Sequence, residues 1–209
     1  MYSMEKCRIF LTRKTSKIIP ILNAMDTKRH FNKYAKFGSY HWSEYKNKDS
    51  IYSKHADEVK SWIRPGKTLD IGAGDGLITS LIRAIGIDDN ALACKLAEKH
   101  GVIVEYGSAY EVPFKDESFD NVFMGDVIEH LERPEESLKE VRRVLKKDGL
   151  FYVTTTPKEE SIGDPHHFQE WTLPDFKNFL KFNGFKVVGK PYIKNVRMYV
   201  VCKKQNTRS

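Results

Sequence analysis

The hydrophobic residues of this chain recur at two spacings, one typical of helices and one typical of short buried strands. Apolar residues between Tyr52 and Ile63 return every three or four positions, which predicts a helix that ends before Pro65. Beyond this helix, short apolar runs alternate with amphipathic stretches, as in α/β proteins with mostly parallel strands. The apolar runs predict five strands, at residues 67–71, 85–88, 102–106, 120–126 and 150–156.

Polar and charged residues mark the ends of the helices between these strands. Asp89 or Asn90 can cap the helix that follows the second strand. Pro134 opens the helix before the fifth strand, and Lys146 and Lys147 place positive charge near its predicted end. Two more helices are predicted, one at 77–84 and one that Thr172 begins with capping-box spacing.

The last two apolar runs, at 185–193 and 196–203, are separated by a very short linker. A parallel connection needs a crossover helix, and no residues are available for one, so these strands must be antiparallel neighbours. The pattern therefore predicts an α/β, doubly wound sheet of about seven strands that is mostly parallel and has an antiparallel C-terminal hairpin.

Composition and charge divide the chain into two parts. Its 209 residues, 40% of them hydrophobic, suit one globular domain, which we place at 51–209. Residues 1–50 hold eleven Lys or Arg against four Asp or Glu, so the formal net charge of +7 comes from this N-terminal arm. Such an arm can attract phosphate-bearing partners, or it can be a solvated, partly disordered segment that aids solubility.

Cysteine usage and the early apolar residues bear on localisation. The three cysteines (Cys7, Cys94 and Cys202) are odd in number and far apart, which favours a reducing compartment without disulfides. The apolar stretch 18–22 is interrupted by Pro20 and is too short for a signal core or a membrane span. We expect a soluble, cytoplasmic protein with no membrane span; the sequence does not indicate its oligomeric state.

The segment 69–76, Leu-Asp-Ile-Gly-Ala-Gly-Asp-Gly, carries the strongest chemical signal. Glycines at alternate positions after a strand let the backbone approach a ligand closely. A dinucleotide fingerprint needs glycine at its sixth position, where this chain has Leu77. Asp70 and Asp75 are poorly suited to phosphates and well suited to a ligand that carries a sulfonium and an ammonium group.

At this segment the chain resembles the class I S-adenosylmethionine-dependent methyltransferases, which have a Rossmann-like fold. The resemblance implies S-adenosyl-L-methionine as cofactor. It also implies that Asp70 and the glycine loop line the methionine end of that cofactor, and that an acid after the second strand accepts both ribose hydroxyls. Asp88 matches this acid, although the short interval from Gly76 leaves Asp89 as an alternative. The loop residues assigned to the cofactor are Gly72, Ala73, Gly74 and Gly76.

The same resemblance assigns roles at the ends of the third and fourth strands. Ser108 and the Ala109 backbone are expected at the adenine, and Tyr110 is either packed on that ring or an ordinary core aromatic. The stretch 125–131, Gly-Asp-Val-Ile-Glu-His-Leu, matches the signature of ubiquinone-biosynthesis-type small-molecule methyltransferases. It places Gly125, Asp126 and Val127 over the cofactor sulfur.

Histidines supply the candidate catalytic groups. His130 is either a general base or a residue that holds its loop by hydrogen bonds. Asp126, Glu129 and His130, with His166 and His167, resemble the acids and histidines that hold a magnesium-type ion in small-RNA 3′-terminal 2′-O-methyltransferases. The first acid of that family is Glu, whereas this chain has Asp126. We therefore predict no metal site, and treat His167 as a catalytic candidate.

Aromatic residues of the arm resemble the N-terminal lid of many methyltransferases. Tyr40, His41 and Trp42 are the lid candidates, and His41 is also a candidate catalytic residue; the alternative is packing of these rings on the first helix.

Taken together, these residues favour a methyltransferase that acts on a small-molecule acceptor, such as a metabolite, lipid precursor or sugar derivative. Two alternatives stay open: a metal-dependent RNA ribose 2′-O-methyltransferase, and a non-catalytic cofactor-binding module. Nucleic acid is a less favoured partner because the chain lacks an Asn/Asp-Pro-Pro-Tyr motif.

Overall fold

A computed structural model describes residues 32–161 and 166–205 of the chain. Helices and strands alternate through most of this part, as the hydrophobic pattern predicts. The helices are α1 (Asn32–Phe37), α2 (Tyr40–Lys46), α3 (Ile51–Trp62), α4 (Leu77–Leu81), α5 (Ala91–Lys99), α6 (Pro134–Val144) and α7 (Leu173–Phe182), with a 3₁₀ turn at Ile128–His130. The strands are β1 (Thr68–Ile71), β2 (Ile85–Asp88), β3 (Val104–Tyr106), β4 (Phe119–Gly125), β5 (Leu145–Thr155), β6 (Phe185–Lys194) and β7 (Arg197–Lys204).

The strands form one seven-stranded sheet in the order β3-β2-β1-β4-β5-β7-β6. The first five strands of this order are parallel, and β7 runs antiparallel to both β5 and β6, which confirms the predicted C-terminal hairpin. Asn195 and Val196 form its turn with φ of 49° and 59°, the backbone that a two-residue hairpin requires. Strands β1 to β3 are added toward one edge of the sheet, and β4 and β5 toward the other, so the strand order reverses between β1 and β4. A ligand crevice is expected at the carboxyl ends of the strands at such a point.

Both faces of the sheet are apolar because helices cover both. Successive residues of β4 show this alternation: Phe123 packs with Val59 of α3 and Tyr199, whereas Val122 and Met124 belong to the larger cluster on the other face. That larger cluster includes residues of α6 and α7, so these two helices pack on the same face of the sheet.

Two predicted helix ends are wrong. The helix at 77 ends at Leu81 instead of residue 84, since Arg83 adopts a φ of 53° and turns the chain into β2. The helix at 134 ends at Val144, so Lys146 and Lys147 lie in β5 and not in a last helical turn. Pairing of Leu145 with Phe119 draws the chain into the sheet at this point.

The predicted helix starts agree with the structure. The Asn90 side chain accepts hydrogen bonds from the Leu92 and Ala93 amides at 3.0 and 3.2 Å, which makes Asn90 the cap of α5. Thr172 caps α7 by accepting from the Asp175 amide at 3.3 Å.

Part of the N-terminal arm lies outside the described residues, together with Cys7. The described part of the arm forms α1 and α2, and Cys94 and Cys202 are free thiols. In the ranges 32–161 and 166–205, no helix has both the length and the apolar character needed to cross a bilayer.

Candidate functional site

The glycine loop joins β1 to α4 at the carboxyl edge of the sheet. Gly72, Gly74 and Gly76 have φ of 76°, 57° and 79°, a conformation that side chains with a Cβ rarely adopt. A Cβ added at Gly72 would lie 2.2 Å from the Val127 side chain. The loop therefore passes directly against the segment that follows β4, and the two predicted cofactor segments meet.

Asp70 lies beneath this loop as a buried carboxylate. Its Oδ2 accepts a hydrogen bond from the Thr79 hydroxyl at 2.6 Å, so it ties the end of β1 to α4. Burial raises the pKa of Asp70 to about 7, because an ionised carboxylate loses hydration there. A cationic ligand group nearby would stabilise the ionised form.

Asp88 at the end of β2 faces the loop. Its carboxylate accepts from the Gly74 amide at 2.7 Å and from the Asn90 amide at 2.8 Å. Its side chain is buried, and burial raises its pKa to about 6 despite both hydrogen bonds. Asp89, the alternative ribose acid, is exposed. The contact with Gly74 therefore favours Asp88 for this role.

Asp126, just after β4, is held in a left-handed backbone conformation with a φ of 53°. Thr154 donates to its Oδ1 at 3.0 Å, and Arg197 at the start of β7 pairs with its Oδ2. Burial is the largest single influence and opposes ionisation, but the charge of Arg197, the neighbouring His55 and the two hydrogen bonds together outweigh it and lower the pKa of Asp126. Three strands thus fix one carboxylate at the carboxyl edge of the sheet.

Glu129 and two histidines form a second polar group beside it. One ligand atom from each of Glu129, His130 and His167 lies within 4.8 Å of the others. The Glu129 side chain is 1% exposed, and its Oε2 has no hydrogen-bond partner in the described part of the chain. Burial, and next the charge of Asp126, raise the pKa of Glu129 to about 8.

The imidazoles of this group are oriented through their Nδ1 atoms. Nδ1 of His130 donates to the His166 carbonyl at 2.9 Å. Nδ1 of His167 lies 2.9 Å from the Ser161 hydroxyl, which itself donates to Glu170 at 2.7 Å, so His167 must be the donor. In both neutral rings the lone pair is consequently on Nε2. His166 contributes its backbone, and its ring lies outside the group.

Comparisons with known proteins agree with this geometry. Residues 69–153 match the model of a methyltransferase domain family. An uncharacterized protein of Methanocaldococcus jannaschii is 30% identical over 153 residues, which are 72% of this chain and 73% of that protein. The chain belongs to the class I S-adenosylmethionine-dependent methyltransferases.

Two named methyltransferases share parts of this chain. A demethylmenaquinone methyltransferase of Thermotoga maritima is 29% identical over 114 residues, so the alignment spans 50% of each protein. The crystal structure of another S-adenosylmethionine-dependent methyltransferase of that organism has a TM-score of 0.66 at 23% identity, covering 85% of this chain and 97% of that one. This structural likeness concerns the fold alone.

The site residues of this methyltransferase fit its cofactor. We call the loop of Gly72, Gly74 and Gly76 the cofactor cradle: a Cβ at Gly72 or Gly74 would clash with its neighbours, and carboxylates, not cations, lie beside it at Asp70 and Asp88. Such a set suits a cationic amino acid and a ribose diol, and it disfavours a pyrophosphate.

The predicted adenine residues follow β3. Ser108 accepts from the Tyr110 amide at 3.1 Å and so shapes its own turn. The Tyr110 ring lies 4.9 Å from the Arg133 guanidinium, and Ala109 packs partly buried against the core. A cleft of about 550 Å³ opens here, lined by Tyr106, Gly107, Ser108, Tyr110, Glu111, Val112, Pro113, Glu140 and Arg143. None of the glycine-loop residues lines this cleft.

Several residues near the site carry no motif and were missed in the sequence. His55 Nδ1 lies 2.7 Å from the Tyr199 hydroxyl, and burial lowers the pKa of His55 to about 4, so this ring is neutral. Tyr52 is stacked on His41 with ring centres 4.6 Å apart. Burial, and next the charge of Asp75, raise the pKa of the Tyr52 hydroxyl well above its usual range. In the sequence, these residues showed only helical or strand periodicity.

Proposed function

We propose that this methyltransferase transfers a methyl group to a small-molecule acceptor that binds beside Asp126, Glu129 and His130. The supporting observation is the close approach of Gly72 to Val127, where an added Cβ would be 2.2 Å away. This contact makes the cofactor loop and the segment 125–131 direct neighbours. A donor in the cradle and an acceptor at that segment would therefore be neighbours.

Charge at the cleft supports a small acceptor over a nucleic acid. Binding of a phosphate backbone requires unpaired Lys or Arg side chains. Arg197 is paired with Asp126, and Arg133 forms an ion pair with Glu136 at 2.9 Å. These two cations thus add no net charge where the acceptor would lie.

One of the relatives also supports a small-molecule acceptor. This relative is named for demethylmenaquinone, a small molecule, although the match spans half of that protein. We extend to this chain only the class of acceptor and not that compound.

S-adenosylmethionine supplies an activated methyl group when bound. The residues of the chain therefore mainly align the acceptor with the cofactor, exclude water and remove a proton from the acceptor. The buried loop and α2 exclude water from one side. His130 has its lone pair on Nε2 and is our candidate base for an acceptor hydroxyl. Arg197 and Thr154 fix Asp126 beside it. His167, whose ring centre lies 4.8 Å from that of His130, and His41 are secondary candidates for this role.

Release of S-adenosylhomocysteine from a mixed panel of small hydroxyl, amine and carbon acceptors tests the proposal. We expect turnover with at least one small molecule, none with RNA oligonucleotides, and a reduction of roughly 100-fold in His130→Ala, the size typical of a lost general base. Methylation of RNA alone would contradict the proposed acceptor class. Tight cofactor binding without turnover on any acceptor would instead favour a non-catalytic module.

A second candidate, a metal-dependent ribose 2′-O-methyltransferase, is favoured by the arrangement of Glu129, His130 and His167. Within residues 32–161 and 166–205, one buried carboxylate oxygen of Glu129 has no hydrogen-bond partner, and it lies next to two imidazoles whose Nδ1 atoms are held by acceptors; this arrangement fits a divalent cation. These three residues would hold the ion. Asp126, which belongs to the matching family pattern, is outside the cluster and paired with Arg197.

Metal binding separates the two candidates. If the protein methylates a small molecule without a metal, EDTA leaves turnover unchanged. If it is a metal-dependent ribose 2′-O-methyltransferase, the wild-type protein binds Mn²⁺ in an electron paramagnetic resonance titration and EDTA stops RNA methylation. Glu129→Gln should then abolish Mn²⁺ binding, because an amide oxygen is a much weaker ligand. Glu132→Gln is the matched control, since Glu132 is exposed and nearby. Equal Mn²⁺ binding by wild type and Glu129→Gln would rule out this metal site.

A further inference from the structure

Asp75 is a buried acid in the glycine loop whose carboxylate and carbonyl oxygens are all bound by helix α2. Its Oδ1 lies 3.0 Å from His41 Nδ1, and its Oδ2 accepts from the His41 backbone amide at 3.1 Å. Its carbonyl accepts from the Trp42 indole at 2.8 Å. The carboxylate is thus turned toward α2, although an acid at this position of the loop would suit the cationic cofactor.

The chemistry of this pair fixes its direction. An ionised carboxylate can only accept, so Nδ1 of His41 is the donor. The Asp75 side chain is 0% exposed and that of His41 is 20% exposed, which shields the pair from water and strengthens it. Tyr52 stacks on the far face of the imidazole and limits its rotation.

The N-terminal segment also makes contacts with the helices around it. Tyr34 packs on Ala93 and Leu96 of α5. The Trp42 ring stacks on His100 with centres 4.1 Å apart, and Tyr45 donates to Asp57 of α3 at 2.6 Å. These contacts hold the segment to α3 and α5, whereas Asp75 holds its inner side against the cofactor loop.

This inner side lies over the cradle. A Cβ built on Gly74 would be 2.2 Å from the Tyr34 hydroxyl and 3.5 Å from the His41 ring. Beneath them, the Asp88 carboxylate that binds the Gly74 amide is only 7% exposed. A ligand that reaches Asp88 must therefore pass the segment formed by α1 and α2.

We propose that Asp75 is a positioning residue that holds α2 over the cofactor cradle through His41 and thereby sets how long the cofactor stays bound. It acts through His41 and does not touch the cofactor. This role rests on the cofactor alone, so it is independent of which acceptor is methylated.

Dissociation of S-adenosylhomocysteine, measured by stopped-flow displacement, tests the role. Asp75→Asn and His41→Phe should each speed dissociation by about tenfold, the effect of losing one charged hydrogen bond. Phenylalanine keeps the stack on Tyr52 while removing Nδ1. His41→Asn retains an N–H near the Nδ1 position and should restore part of the slow release. Glu98→Gln, a change at an exposed acid of α5, is the matched control and should leave the rate unchanged.

The double variant decides whether Asp75 acts through His41. If it does, Asp75→Asn adds little to His41→Phe, and the double variant releases ligand as fast as either single one. Additive effects would show that Asp75 touches the ligand directly and would overturn the proposal. Unchanged or slower release in the single variants would also overturn it. Hydrogen exchange of residues 32–46 should rise in both variants, and unchanged thermal unfolding would show that the sheet is intact.

Discussion

Replacing Gly74 with arginine is expected to weaken S-adenosylhomocysteine binding by at least about 100-fold, or ~2.7 kcal/mol, while the sheet stays folded. Gly74 has a φ of 57°, which costs a residue with a Cβ roughly 1–2 kcal/mol. The new Cβ would also lie 2.2 Å from the Tyr34 hydroxyl, and the arginine would occupy the cradle itself. Isothermal titration calorimetry measures the affinity, and circular dichroism checks the fold.

Gly189→Arg is the matched control for this substitution. Gly189 has a φ of 70°, but a Cβ there would meet nothing within 4 Å. It therefore reproduces the backbone strain and the added charge without blocking the cradle, and its affinity should match that of wild type. Unchanged affinity in Gly74→Arg would remove the glycine loop from the cofactor site, and equal losses in both variants would point to strain alone.

The second large effect is a dependence of S-adenosylhomocysteine binding on pH. Burial raises the pKa of Asp88 to about 6 and that of Asp70 to about 7, so both carboxylates are protonated at pH 5. A ligand with an ammonium group and a ribose diol prefers ionised acceptors, and binding must then release protons. We expect the affinity for S-adenosylhomocysteine to rise at least about tenfold from pH 5 to pH 7.5, since one pKa unit corresponds to ~1.4 kcal/mol.

The stability of the ligand-free protein is expected to change with pH in the opposite direction to the ligand affinity. A carboxyl group whose folded pKa exceeds its unfolded value stabilises the fold fully below the unfolded pKa and loses that contribution as the pH rises through the folded pKa. Thermal unfolding of the ligand-free protein should therefore show the contribution of Asp88 and Asp70 declining between about pH 4 and pH 7, and bound ligand should offset this loss.

Neighbouring variants assign the pH effect to one residue. Asp88→Asn cannot titrate and should reduce the rise in affinity, whereas Asp89→Asn removes an exposed acid and should preserve it. A rise that disappears in Asp89→Asn but persists in Asp88→Asn would transfer the ribose role to Asp89. A flat profile in wild type would show that neither carboxylate is coupled to binding.

Local signals predicted much of the fold. The number of strands followed from the apolar runs, and the antiparallel direction of the last two from the short linker at 194–195, because such a linker admits only a hairpin. The order of the strands in the sheet came from the structure alone. Caps at Asn90 and Thr172 were predictable because a cap acts on amides two or three residues away. The end of α6 was not, since pairing of Leu145 with Phe119, far away in sequence, overrides the basic residues that follow.

The sequence by itself determined the cofactor loop, because the spacing of glycines and acids in 69–76 acts within a single turn. Only the tertiary structure decided which side chains meet around it. His41 and Asp75 are 34 positions apart, Asp126 and Arg197 are 71 apart, and Glu129 reaches His167 through a separate loop. Such pairs leave no periodic pattern, because their partners come together only when the parallel strands align their carboxyl ends at one edge of the sheet.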